Sequence, residues 1–254
     1  MKKLDYNEIN EYIAESVMKS FYEKRLEKLS ELNLATILKR KNPYLFKAKN
    51  IETSGEFVKY IFDSYLSSQE ETIFGNLLEN LAIFTCEKAF NGKKAEEGIL
   101  KSVDLEFERD NKYYIVGIKS GIYWGNKDQI DRMKLNFKFA KKLLRKRGIV
   151  KEIVAINGCI YGKDNIPFKD NDDGELSYYK MCGQEFWELI SGDNELYKNI
   201  IRPLDREAKK RSENFKEVYA EKSDEMIKDF SDNFLTKKGS IDWEKIIDVV
   251  SKKG

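Results

Sequence analysis

The sequence predicts an α/β protein, with strands and a crossover helix in the middle of the chain and helices toward both ends. Two observations carry the middle. Val103, Leu105 and Phe107 alternate with Asp104, Glu106 and Glu108, the period-two signature of a half-buried strand. A basic amphipathic helix over about 127–146 carries Ile130, Met133, Phe137, Ala140 and Leu144 on one stripe, and the apolar run Ile153–Ile156 follows it. Strand, strand, helix, strand is the unit from which crossover α/β cores are built. The third observation concerns the ends, where apolar residues recur at helical spacing. Only 3 prolines and 15 glycines interrupt the chain, and no repeat or long linker is visible.

Taken in order, residues 5–31 read as one long amphipathic helix. Residues 53–67 and 70–90 read as two more, broken near Ser67–Ser68, because Ser68 and Glu71 have the spacing of a capping box. After the alternating strand, Arg109-Asp110-Asn111-Lys112 is a turn signal and Tyr113–Lys119 is β-rich, so the two strands form a hairpin. Beyond residue 183 the chain reads as helical to its end. There Met226, Phe230 and Phe234 lie a helical turn apart, a stripe suited to core or dimer packing. The organisation expected is a helical region over 1–66, an α/β core over 67–204 and a helical extension over 205–254.

Composition narrows the chemistry. The 254 residues contain no histidine, which excludes Ser-His-Asp and Cys-His catalysis and histidine-based zinc sites. Cys86, Cys159 and Cys182 are far apart and form no CxxC pair, so buried free thiols in a reducing compartment are expected. Hydrolytic chemistry would rest on carboxylates, lysine, hydroxyls or a hard metal ion. No run approaches the roughly 20 apolar residues of a membrane span, and the N-terminus lacks a signal-peptide core, so a cytoplasmic protein without membrane contact is expected.

Net charge is only +2, from 46 basic and 44 acidic residues, but the charges are segregated. Lys39–Lys49 holds five basic residues and no acid, and Arg132–Lys151 holds nine and no acid, while acids gather in 164–195. Each run alone is what a solvated helix face looks like. Together, with Tyr44 and Phe46 interleaved in the first, they suit a polyanion-binding face.

With Asp110–Asn111 at the centre of a two-residue hairpin, Arg109 pairs with Lys112, Asp104 lies opposite Gly117 and Ser102 opposite Lys119. Asp104 and Lys119 then share one face on diagonal positions. A carboxylate and a lysine so held suit metal-dependent phosphodiester hydrolysis, the first as a metal ligand, the second to orient water and offset charge on phosphate. An ordinary cross-strand ion pair has the same appearance, and a one-residue slip would separate the two.

The residues that follow are more specific. KRKNPYLFKAKNI (39–51), SSQEETIFGNLLENLAIF (67–84), VDLEFE with VGIKSGIYWGNKDQ (103–108 and 116–129) and YKMCGQEFWELISGDNELY (179–197) occur in that order. This set resembles the PmeII-like type II restriction endonucleases of the PD-(D/E)xK nuclease superfamily, and it spans most of the chain from 39 to 205. The resemblance implies a restriction-endonuclease-like core, a mixed central sheet flanked by helices. It also implies a Mg²⁺-dependent homodimer that cuts both strands of duplex DNA at a short palindrome, GGNCC-like, and a cognate methyltransferase in the same system. It puts Asp104 on the first acidic position, Lys119 on the lysine, and the main-chain carbonyl of Ile118 among the metal ligands.

One position departs from the pattern. The acid two residues before the lysine is Gly117 here. Glu79 is the leading substitute, on a helix edge with Gly75 and Ala82 as small neighbours. Glu106, Asp128 and Asp131 are the alternatives. For DNA contact, Lys39, Arg40, Lys47, Lys49 and Lys127 suit phosphates. Ser120, Asn126 and Gln129 follow the lysine closely, where amides can orient the scissile phosphate or read base edges. Trp124 suits packing as well as it suits a groove contact. Two other readings share the fold: a repair or recombination nuclease, and a DNA-binding protein whose site has decayed at Gly117.

Overall fold

The computed structural model describes residues 3–96 and 98–253. Its first helix, α1 (Tyr6–Tyr12), runs through a π-helical stretch (Ile13–Lys19) into α2 (Ser20–Ser30), so the expected N-terminal helix forms with an altered middle. Then come α3 (Leu34–Lys39), α4 (Pro43–Ala48), α5 (Ser54–Phe90), β1 (Lys93–Lys94), β2 (Leu105–Arg109), β3 (Lys112–Lys119) and α6 (Lys127–Lys146). The remainder comprises β4 (Glu152–Cys159), β5 (Phe168–Lys169), β6 (Tyr178–Cys182), α7 (Gln184–Ser191), α8 (Leu196–Asn199), α9 (Ile201–Phe234) and α10 (Trp243–Ser251). Among the described residues no helix is long and apolar enough to cross a membrane.

The expected break at Ser67–Ser68 does not occur, and α5 is one helix of 37 residues. Instead of capping, the Ser68 hydroxyl donates back to the Ser64 carbonyl, and Thr72 donates to that of Ser68, both at 3.1 Å. Such back-bonding lets short polar residues sit inside a helix. Buried Tyr65 and Leu66 before the serines, and Leu77 and Leu81 after them, hold both halves in packed surroundings.

The chain divides into two compact units, one of residues up to 18 with 75–206, the other of residues 19–74 with those from 207 onward. The first contains a six-stranded mixed sheet in the order β1-β2-β3-β4-β6-β5. β1, β2 and β3 are antiparallel neighbours, β3, β4 and β6 run parallel, and β5 is an antiparallel edge. Met133, Phe137, Ala140 and Leu144 of α6 bury their stripe against Val103, Tyr113, Ile115, Ile153 and Ala155 on one face of this sheet. Each large side chain so buried contributes about 1.5–3 kcal/mol. On the other face Phe90 of α5 stacks on Phe107, and Phe186 of α7 lies against Gly158. This is a restriction-endonuclease-like α/β core with helical extensions, as the sequence predicted.

The hairpin has the expected register, with Arg109 opposite Lys112 and Leu105 opposite Val116. Asp110 and Asn111 both lie in the left-handed region, at φ 51° and 58°, which a two-residue type I′ turn demands and these residues tolerate. In the second unit Met226, Phe230 and Phe234 are buried, and Phe57 stacks on Phe230 at 4.7 Å, so the tail's stripe is core.

Candidate active site

Asp104 immediately precedes β2. Its N–H donates to the Val116 carbonyl at 2.8 Å, its carbonyl accepts from Ala95, and it therefore stands beside Gly117. Its Oδ2 accepts the Ile118 N–H at 2.6 Å and lies 3.5 Å from Lys119 Nζ. Lys119 Nζ in turn donates to the Ile118 carbonyl at 2.7 Å. Two oxygens on neighbouring strands thus converge on one cationic nitrogen. Trp124 packs against the α6 core and sets its ring 5.6 Å from that ammonium. Both charged side chains are about one-quarter exposed, so water reaches them.

Glu79 comes from α5. Where that helix meets the end of β3, Gly75 leaves room for Ser120, whose Oγ would lie 2.6 Å from a Cβ at position 75. One turn on, half-buried Glu79 has its carboxyl pushed above the usual value by burial and by the Asp104 charge, while Lys119 and Lys94 pull it down. Two carboxylates and two ammonium groups therefore share one electrostatic environment.

Of the other candidate acids, Glu106 and Asp131 have partners elsewhere. Glu106 is buried and accepts the Tyr113 hydroxyl at 2.8 Å. Asp131 accepts from Lys134 at 3.0 Å, and Asp128 is exposed in the first turn of α6. Position 117 has no space for an acid. A Cβ there would lie 2.5 Å from the Ser102 carbonyl oxygen and 3.4 Å from the Phe137 ring.

Among the described residues no three His, Cys, Asp or Glu side chains cluster to hold a metal. A hard cation that keeps most of its water shell needs only one or two carboxylates. Asp104 Oδ2 and the Ile118 carbonyl already face a common cation, and Glu79 is a partly desolvated carboxylate in the same field, so this donor set suits such an ion.

Asn126 and Gln129 form the capping box of α6, each side-chain oxygen accepting the other residue's backbone N–H, at 3.0 and 2.9 Å. A bidentate contact to a base needs an amide's oxygen as well as its nitrogen. Lys127 is exposed at the helix start, and Ser120 is exposed after Lys119. Lys39, Arg40, Lys47 and Lys49 are all exposed and belong to the second unit. Arg40 lies over Tyr65, Lys47 over Trp243 and Lys49 over Tyr60. Sequence reasoning missed Lys94, because a lysine pair on a two-residue strand carries no periodicity.

An α/β core that sets an acid, a lysine and a strand-end carbonyl together at the hairpin defines a restriction-endonuclease-like protein. The family model described as Type II restriction endonuclease EcoO109I matches residues 7–212, and the chain belongs to that family. It is thus a DNA-binding nuclease of a restriction system. The match supports the restriction-endonuclease class of the resemblance without its PmeII-like subgroup. No curated protein matches the chain.

Proposed function

We propose that this restriction endonuclease is a PD-(D/E)xK enzyme that hydrolyses both strands of duplex DNA at a short palindromic, GGNCC-like site. Its products carry 5′-phosphates and 3′-hydroxyls. The observation that carries the reading is the meeting of Asp104 Oδ2 and the Ile118 carbonyl at the Lys119 ammonium, with Glu79 in the same field. Asp104, Glu79 and the Ile118 carbonyl would hold Mg²⁺. When bound, that ion supplies Lewis-acid stabilisation of phosphate charge and a more acidic water.

The chain's own groups do the rest. Lys119 is a donor that orients the attacking water and offsets charge developing on the phosphoryl oxygens. Trp124 backs the lysine with an apolar wall that limits its directions. The water oxygen bonds to phosphorus as the P–O3′ bond breaks; its proton leaves to solvent and the departing O3′ gains one. Lys39, Arg40, Lys47, Lys49 and Lys127 hold phosphates, and Ser120 lies beside the reacting one. A palindrome calls for a two-fold protein, so the active species is a homodimer. A cognate methyltransferase protects the host's own sites.

The test incubates purified protein with plasmid and linear phage DNA plus Mg²⁺, beside EDTA and Asp104→Ala controls. Discrete bands that vanish in both controls are expected, and sequencing the ends gives site and stagger. A smear or end-dependent loss would refute site specificity. A retained gel shift without cutting would make Gly117 the mark of a lost active site.

A further inference from the structure

The loop between β3 and α6, residues 120–126, is held at nearly every position. The Ser120 carbonyl accepts the Tyr161 N–H at 3.1 Å. Gly121 lies under the Tyr161 ring, whose atoms would stand 2.6–2.7 Å from an added Cβ, so a larger residue there would have to displace that ring. Ile122 covers Gly162, and its carbonyl accepts Lys180 Nζ at 3.1 Å. Lys180 is itself paired with Asp164. Trp124 packs against the α6 core, and Asn126 caps the helix.

Tyr123 is the exception. Its side chain is 94% exposed, and among the described residues it has no hydrogen-bond or ring partner. A fixed loop that holds an aromatic ring in water gains no stability from that ring, whereas each neighbour is buried or bonded. The ring stands four residues from Lys119 and four from exposed Lys127. It also stands at the carboxyl ends of the parallel strands β3 and β4, where open α/β sheets receive ligands. Tyr161, 64% exposed, follows β4 and lies over Gly121 of the same loop.

We propose that Tyr123 is a DNA-positioning residue: its ring enters the duplex groove beside the scissile phosphate and lies against sugar and base edges, with Tyr161 fixing the loop beneath it. A flat, amphipathic ring suits that contact, as stacking and groove-wedging side chains do elsewhere. The inference rests on the nuclease reading above and deepens it, because a residue so placed sets how the reacting phosphodiester meets Lys119.

The experiment compares wild type, Tyr123→Ala, Tyr123→Phe and Phe139→Ala, the last removing an exposed ring on α6. Binding to a fluorescein-labelled duplex is followed by anisotropy in EDTA across a salt series, and cutting is followed in Mg²⁺. Tyr123→Ala is expected to weaken binding roughly tenfold or more. Its melting temperature and the slope of log affinity against log salt should not change, because an uncharged ring releases no counterions. Tyr123→Phe and Phe139→Ala should bind like wild type. Equal affinity for Tyr123→Ala and wild type, an equal loss in Phe139→Ala, or a loss accompanied by a lower melting temperature would overturn the proposal. If wild type binds without cutting and Tyr123→Ala binds less, the contact stands and the nuclease reading falls. If wild type binds no duplex, both fall.

Discussion

Gly117 offers the sharpest test of how this site is built. In Gly117→Ala the new Cβ would lie 2.5 Å from the Ser102 carbonyl oxygen. Carbon-to-oxygen contacts normally stand at about 3.3–3.6 Å, so roughly 1 Å must be opened. The carbonyl has little freedom to withdraw. Ser102 is in the left-handed region at φ 61°, its hydroxyl accepts from Asn136, and the adjoining residues are tied to Leu100 and Val116. Overpacking of this kind costs about 1–3 kcal/mol. At roughly 2–4 °C per kcal/mol for a chain of this size, the melting temperature should fall by roughly 2–12 °C. Gly55→Ala is the matched control, since nothing lies within 4 Å of its Cβ, and it should gain about 0.4–1 kcal/mol. Calorimetry of both variants, with plasmid cutting by Gly117→Glu and by Gly117→Glu/Glu79→Gln, completes the set. Neither Glu variant should cut better than its parent. Wild-type stability in Gly117→Ala, or restored cutting in the double variant, would refute the conclusion that position 117 is closed to an acid.

Glu79→Gln should reduce cutting by at least the roughly 10–100-fold that loss of an outer-shell partner alone costs a metal site. In EDTA it should raise the melting temperature, because it removes a charge that burial and Asp104 both disfavour. Native protein should react slowly with a disulfide reagent at all three thiols and quickly only after unfolding. All three are buried, burial pushes Cys159 up to about 12, and it raises Cys86 and Cys182 as well. Asp164 is held below its ordinary value of 3.8: burial opposes this, but the Lys169 hydrogen bond, the Ile166 N–H and the Lys169 and Lys180 charges together outweigh it. A depressed carboxyl favours folding above its unfolded value and loses that contribution as pH falls through the folded one. Denaturation midpoints should therefore drop below about pH 4, and Lys169→Ala should flatten that part of the profile.

The hairpin was legible because strict alternation and an Asp-Asn turn specify register locally, and a register locates Asp104 against Gly117 without any tertiary information. The α6 stripe was legible for the same reason, since its period describes a single element. The break expected in α5 was a local signal overruled by packing: Ser68 and Glu71 match a capping box in sequence, but Leu77 and Leu81 continue the buried surface. At Asn126 and Gln129 the local signal is kept: their three-residue spacing is that of the capping box they form. Glu79 could only be nominated, because its neighbours Asp104 and Lys119 arrive from strands far along the chain.

Those neighbours also explain how two acids can share a partly desolvated site. The Asp104 charge adds to the cost that burial places on ionising half-buried Glu79, and nearby cations offset it. Lys119 and Lys94 supply equal opposite charge, with Lys119 seated on the two oxygens where a cation is wanted. A carboxylate on β3 would have stood on the α6 side, between the Ser102 carbonyl and Phe137. One on α5 instead feels the Asp104 charge without occupying that space, so the strand can close on Ser102.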